Sequence, residues 1–117
     1  MQDFKSILYK IIGDRIKSKR KELGLSQDDL SKHLNLGRSS ISNIEIGRHQ
    51  IPLSVLYELS ILLKINVHNL LPTYEEVVEL LNSKIKEYSK ILEAKDLNSL
   101  QRESVEDILK NIGNYDN

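Results

Sequence analysis

The 117-residue chain has no cysteine and no tryptophan, a single phenylalanine, two prolines and five glycines. Without cysteine there is no disulfide framework, no thiolate metal site and no cysteine nucleophile, which suits a reducing cytoplasm. No apolar run approaches the length of a membrane span, so a transmembrane chain is not expected. The opening MQDFKSILYKIIGD carries an early acid and no small-residue cleavage site, so no secretory leader is expected either. Net charge is absent too, but only on average. Residues 1–72 hold eleven Lys/Arg against seven Asp/Glu, and residues 73–117 hold six against ten. A basic first part joined to an acidic second part suggests a polyanion-facing unit followed by something with another task.

Enzymatic motifs are also missing. His33, His49 and His68 are too dispersed for HExxH, and neither GxxxxGK nor GxSxG occurs. Asp28–Asp29 and Glu75–Glu76 are paired carboxylates at helix starts, where they favour the helix dipole. The expectation is a protein that is not an enzyme and takes neither cofactor nor metal.

What is there is helical periodicity, with no segment alternating at period two. Phe4, Ile7, Leu8, Ile11, Ile12 and Ile16 recur at three- and four-residue spacing and predict a helix reaching Leu23, with Gly24 as its left-handed cap. Gly13 inside that pattern suggests a break, which would make residues 1–12 a separate helical arm. Ser26 with Asp29 is an acidic capping box for a short second helix that turns Leu30 and Leu34 inward. A third helix is expected from about Gly37 to Gly47. The loop RHQIP follows, then LSVLYELSILLKI, apolar enough to be read as a buried spine, and a short helix in NVHNLL before Pro72.

Thr73 and Glu76 form another capping box. Beyond it Tyr74, Val78, Leu81, Ile85, Tyr88 and Leu92 step by four and three, a heptad seam. After AKDLNS comes a last helical pattern, LQRESVEDILKNIG, with Leu100, Val105, Ile108, Leu109 and Ile112 apolar. Two such helices make a hairpin with too little to bury alone, so the seam is expected to pack on a second copy or on another protein.

The third helix is unusual. In NLGRSSISNIEIG the apolar Leu36, Ile41 and Ile44 fall on one stripe, and the rest is Arg38, Ser39, Ser40, Ser42 and Asn43. Base edges in the major groove offer fixed donors and acceptors that Arg, Asn and Ser meet at short range, and small serines let a helix sit deep in a groove about 12 Å wide. Two short helices joined by NLG have the layout of a helix-turn-helix.

From Asp14 to Leu71, about half the chain, the sequence resembles the Cro and lambda-repressor type of helix-turn-helix domain, the XRE family. The resemblance rests on R-I-K-x-x-R-K-x-L-G-L-S-Q, then a two-turn helix, then R-S-S-I-S-N-I-E-x-G, then an apolar helix ending in I-N-V-H-N-L-L. It implies an all-α fold with a five-helix lambda-repressor-like DNA-binding domain over residues 1–72, to which the heptad pattern adds the helical hairpin over residues 73–117 as a dimerisation or interaction region. It implies a homodimeric repressor on double-stranded DNA, with base contacts from Arg38, Ser39 and Asn43. Backbone contacts would come from Gln27, which would also brace the third helix, and from Ser40, Ser42, Arg48, His49 and Gln50. Arg20 and Glu45 match a structural ion pair that ties the first helix to the third. Antitoxins share this domain type, so the alternative is a regulator whose seam binds a toxin or antirepressor. Three departures stand out: Gly37 replaces the usual Ser or Thr N-cap, Ile46 takes a place often polar, and RHQIP is one residue longer than the commonest loop.

Overall fold

The computed structural model describes residues 2–48 and 50–94, and over these the protein is all-α, with six helices and no strand. α1 runs Gln2–Glu22, α2 Gln27–Leu34, α3 Arg38–Glu45, α4 Leu53–Leu62, α5 Val67–Leu70 and α6 Tyr74–Ala94. Local chemistry sets several of these ends. α1 stops at Gly24, φ +71°, where the Gly24 and Leu25 N–H groups donate back to Lys21 and Arg20 carbonyls. α2 starts with the expected box: the Asp29 N–H donates to Ser26 Oγ at 2.9 Å and the Ser26 N–H to Asp29 Oδ2 at 2.8 Å. Those bonds to Ser26 hold the Asp29 carboxyl below its ordinary range.

One core binds α1 to α5. Ile12 and Ile16 of α1 meet Leu30 and Leu34 of α2, Ile41 and Ile44 of α3, Leu56 and Leu59 of α4, and Leu70 of α5. A satellite cluster joins α6 to the first half of α1, with Val77 and Leu81 buried against Ile7 and flanked by Phe4, Leu8, Ile11 and Ile85. The Phe4 and Tyr74 rings lie 5.6 Å apart. At the same junction Arg15 donates to Glu76 Oε2 at 2.5 Å, while Glu76 also closes the expected box with Thr73. The Thr73 N–H and the Arg15 guanidinium together hold the Glu76 carboxyl low.

Three expectations are corrected. Gly13 does not break α1, which is continuous from residue 2 to residue 22, so residues 1–12 are no detached arm. Instead Gly13 is buried where α1 crosses the end of α3: a Cβ there would meet the Ile44 carbonyl and lie 2.6 Å from that of Glu45. The spine is not buried all round either, since Leu53, Tyr57 and Ile61 of α4 face solvent. The first half of the seam closes on α1 within the chain, with Leu81 buried and Val77 taking the buried place foreseen for Val78. The last helical pattern, residues 100–113, lies outside the described residues.

Candidate nucleic-acid interface

α3 has two unlike faces. Ile41 and Ile44 point into the core beside Glu45, which is 1% exposed. On the other side Arg38 and Ser39 are exposed, and Ser40, Ser42 and Asn43 are half-buried. The helix starts at Gly37 in extended conformation with no side-chain cap, as the absent hydroxyl at that position foretells. The Ser40 and Ile41 N–H groups bond the Gly37 carbonyl, so the first N–H groups, those of Arg38 and Ser39, have no partner one turn back. That end therefore carries positive dipole beside an Arg side chain, a setting that favours an anion.

Glu45 fixes the helix in place. Arg20 grips its carboxylate in a fork, Nε to Oε2 at 2.6 Å and a terminal nitrogen to Oε1 at 3.0 Å. Gln27 Nε2 adds a third donor to Oε1 at 3.0 Å, and Arg20 also reaches the Leu25 carbonyl at 2.9 Å. One carboxylate thus joins α1, the start of α2 and the end of α3. The pairing with Glu45 raises the Arg20 pKa, keeping the guanidinium charged at every working pH. The Arg20–Glu45 pair is as the sequence predicts. Gln27, expected at the DNA backbone, holds α3 through Glu45, which is the bracing half of its foreseen role.

Beyond α3 the Arg48 N–H bonds the Asn43 carbonyl, and the Arg48 and Gln50 side chains are exposed. His49 lies outside the described residues. Gly47 (φ +80°) lets the chain pass against α1, where a Cβ would come within 2.8 Å of the Lys10 backbone. Arg38, Ser39, Ser40, Ser42, Asn43, Arg48 and Gln50 therefore lie on one helix and the loop that leaves it. Sequence reasoning missed Gly13 as a packing residue and Arg15 as the tie to α6. The signal for Gly13 was a glycine inside an unbroken apolar period.

A family model described as helix-turn-helix matches residues 16–69. A 10 kDa protein of the ImmF control region of Bacillus phage phi105 is 37% identical over 70 residues, 60% of this chain and 78% of that one. The chain belongs to the helix-turn-helix family of DNA-binding transcriptional regulators. Among solved structures, the restriction-modification controller protein C.AhdI from Aeromonas hydrophila is 29% identical with a TM-score of 0.50, covering 53% of this chain and 94% of that one. The hypothetical transcription factor NHTF from Neisseria is 26% identical with a TM-score of 0.53, covering 62% and 84%. The clp gene regulator ClgR from Corynebacterium glutamicum shares the fold, at 18% identity and a TM-score of 0.56, over 73% of this chain and 89% of that one. The helix-turn-helix family and these neighbours regulate transcription and are not enzymes. Among the described residues no helix is long and apolar enough to cross a membrane.

Proposed function

We propose that this helix-turn-helix protein is a homodimeric repressor, acting in the cytoplasm, that reads an inverted-repeat operator by laying α3 in the major groove. The observation that carries this reading is the division of α3 into a locked inner face and an outer face of Arg38, Ser39, Ser40, Ser42 and Asn43. Arg38, Ser39 and Asn43 read base edges, with Arg38 suited to a bidentate grip on guanine. Ser40, Ser42, Arg48, His49 and Gln50 hold the phosphate backbone, joined by Gln27 at the start of α2, and give affinity and register without sequence preference. Two copies read half-sites about one helical turn, roughly 34 Å, apart. The relative from a phage control region supports a regulatory role.

The test is selection of bound duplexes from a random pool, beside light scattering of the protein with and without the selected DNA. An inverted repeat bound by two copies is the expected result. Binding without a consensus that fades steeply as salt rises would sink the reading, because it reports phosphate contact alone.

A further inference from the structure

The helix-turn-helix match covers residues 16–69, so the first part of α1 and all of α6 lie outside it. These two pieces meet the end of α3 around an open groove of about 400 Å³. Its apolar walls are Ile7 of α1, Leu80 of α6 and Ile46, the residue that caps α3. Gly47 closes one side, packed against the Lys10 backbone. Ile7 is buried, whereas Ile46 and Leu80 are 40% and 43% exposed. Small-molecule sites have volumes of roughly 300–1,000 Å³, and this groove falls within that range.

The charges around it are of one sign. Lys10 of α1 and Lys84 of α6 both line the groove, and among the described residues no carboxylate does. Lys10 gives one donor to Asp14 at 3.0 Å and stays exposed, and an ammonium has further donors to offer. Lys84 is exposed and makes no ion pair among the described residues. An occupant therefore has to bring an apolar body and a negative head together. A phosphate backbone brings the charge without the body, and a neutral hydrocarbon brings the body without the charge. An aliphatic carboxylate brings both, and the lysine stems can lie along its tail while the ammonium groups meet its head.

We infer that the groove between α1, α6 and the end of α3 binds a medium-chain aliphatic carboxylate. The tail lies on Ile7, Ile46 and Leu80, and the head lies at Lys84 and Lys10. Gly47 leads directly into Arg48, so the ligand cancels positive charge beside the loop assigned to the phosphate backbone. Occupancy therefore lowers operator affinity. That consequence rests on the operator reading, whereas binding of the carboxylate does not.

The test is titration calorimetry of the full chain with decanoate, which should fill one site per chain. Decyltrimethylammonium keeps the tail and reverses the head, and acetate keeps the head without the tail. Each should bind at least about tenfold more weakly than decanoate. Lys84→Gln should weaken decanoate about threefold, and Ile46→Ser about tenfold. Lys86→Gln, on the other side of α6, should leave it unchanged. All three positions are exposed, so circular dichroism should match wild type. Should Ile46→Ser not fold, Lys84→Glu decides, because it should turn the preference towards the ammonium probe. Absence of decanoate binding, equal binding of both head groups, or affinity untouched by Lys84→Gln and Ile46→Ser overturns the site. At a decanoate concentration that fills wild type but not Ile46→Ser, the selected operator should bind wild type about fivefold more weakly and the variant as before. Unchanged operator affinity with the groove filled removes the coupling and leaves the site. A random pool that yields no operator sinks the DNA reading while the calorimetry still decides the site.

Discussion

α3 and α4 are neighbours of similar length, eight and ten residues, and both turn isoleucine or leucine into the same core. Their inner faces are nearly interchangeable in kind. Their outer faces are opposites: α3 shows Arg38 and Ser39, and α4 shows Leu53, Tyr57 and Ile61. The difference teaches where to look for a helix's task. Core faces report only that the helix is held, whereas the face that the core does not need reports the chemistry of what will cover it. Donors and acceptors suit base edges and phosphates, and aliphatic side chains with a ring suit another protein surface. The two helices also differ in how they are held. α4 sits by apolar burial, while α3 adds a buried charge shared among three helices.

The largest expected effect comes from removing that extra anchor. Glu45→Ala strands the buried Arg20 guanidinium and should cost roughly 3–5 kcal/mol of unfolding free energy, read by urea titration. A loss like that of a surface substitution would mean α3 is held as α4 is, by apolar packing alone. Gly13→Ala separates two forces of opposite sign. Helix propensity would add about 1 kcal/mol of stability, but the new methyl meets the carbonyls that end α3 and should destabilise by about 1–3 kcal/mol. A melting temperature that rises would remove the close crossing of α1 and α3. On the outer face, Arg38→Ala should leave unfolding unchanged and lose about 1–3 kcal/mol of discrimination between operator and a guanine-substituted site. Equal selectivity by competition binding would strike Arg38 from the interface.

A smaller effect follows from pH. The Asp29 and Glu76 carboxyls are both held low by their capping boxes, Glu76 also by Arg15. Groups depressed on folding stabilise fully above their unfolded values, about 4, and lose that contribution as pH falls through the lower folded values. Stability should therefore decline below about pH 4, and Asp29→Asn with Glu76→Gln should flatten the decline. The smallest effect is expected from Gly37→Ser, which restores a hydroxyl cap to α3 and should add only a few tenths of a kcal/mol.

Most of the fold was legible because its elements announce themselves locally. Ser26 with Asp29, Thr73 with Glu76, Gly24 and the three-and-four spacing of aliphatics are short-range signals, and each sits where it was expected. The Arg20–Glu45 pair was legible through the family pattern, and the polar face of α3 from its own residues. The outer stripe of α4 was hidden for a physical reason: in LSVLYELSILLKI core and surface positions are both apolar, so periodicity has no contrast to work on. The heptad seam misled in a related way. Its spacing correctly marks an apolar face on α6, but spacing does not name the partner, and the first half of α1 supplied a matching face from within the chain. Gly13 was read for its flexibility, when its use is its lack of bulk.

The carboxylate of Glu45 also bears on the heat of operator binding. Because Arg20 and Gln27 already saturate it in the free protein, α3 has no coil-to-helix step left to complete on meeting DNA. Coupled folding leaves a large negative heat-capacity change in calorimetry, beyond what the contact surface explains. For α3 the titration should show only the heat capacity of the surface buried in the groove.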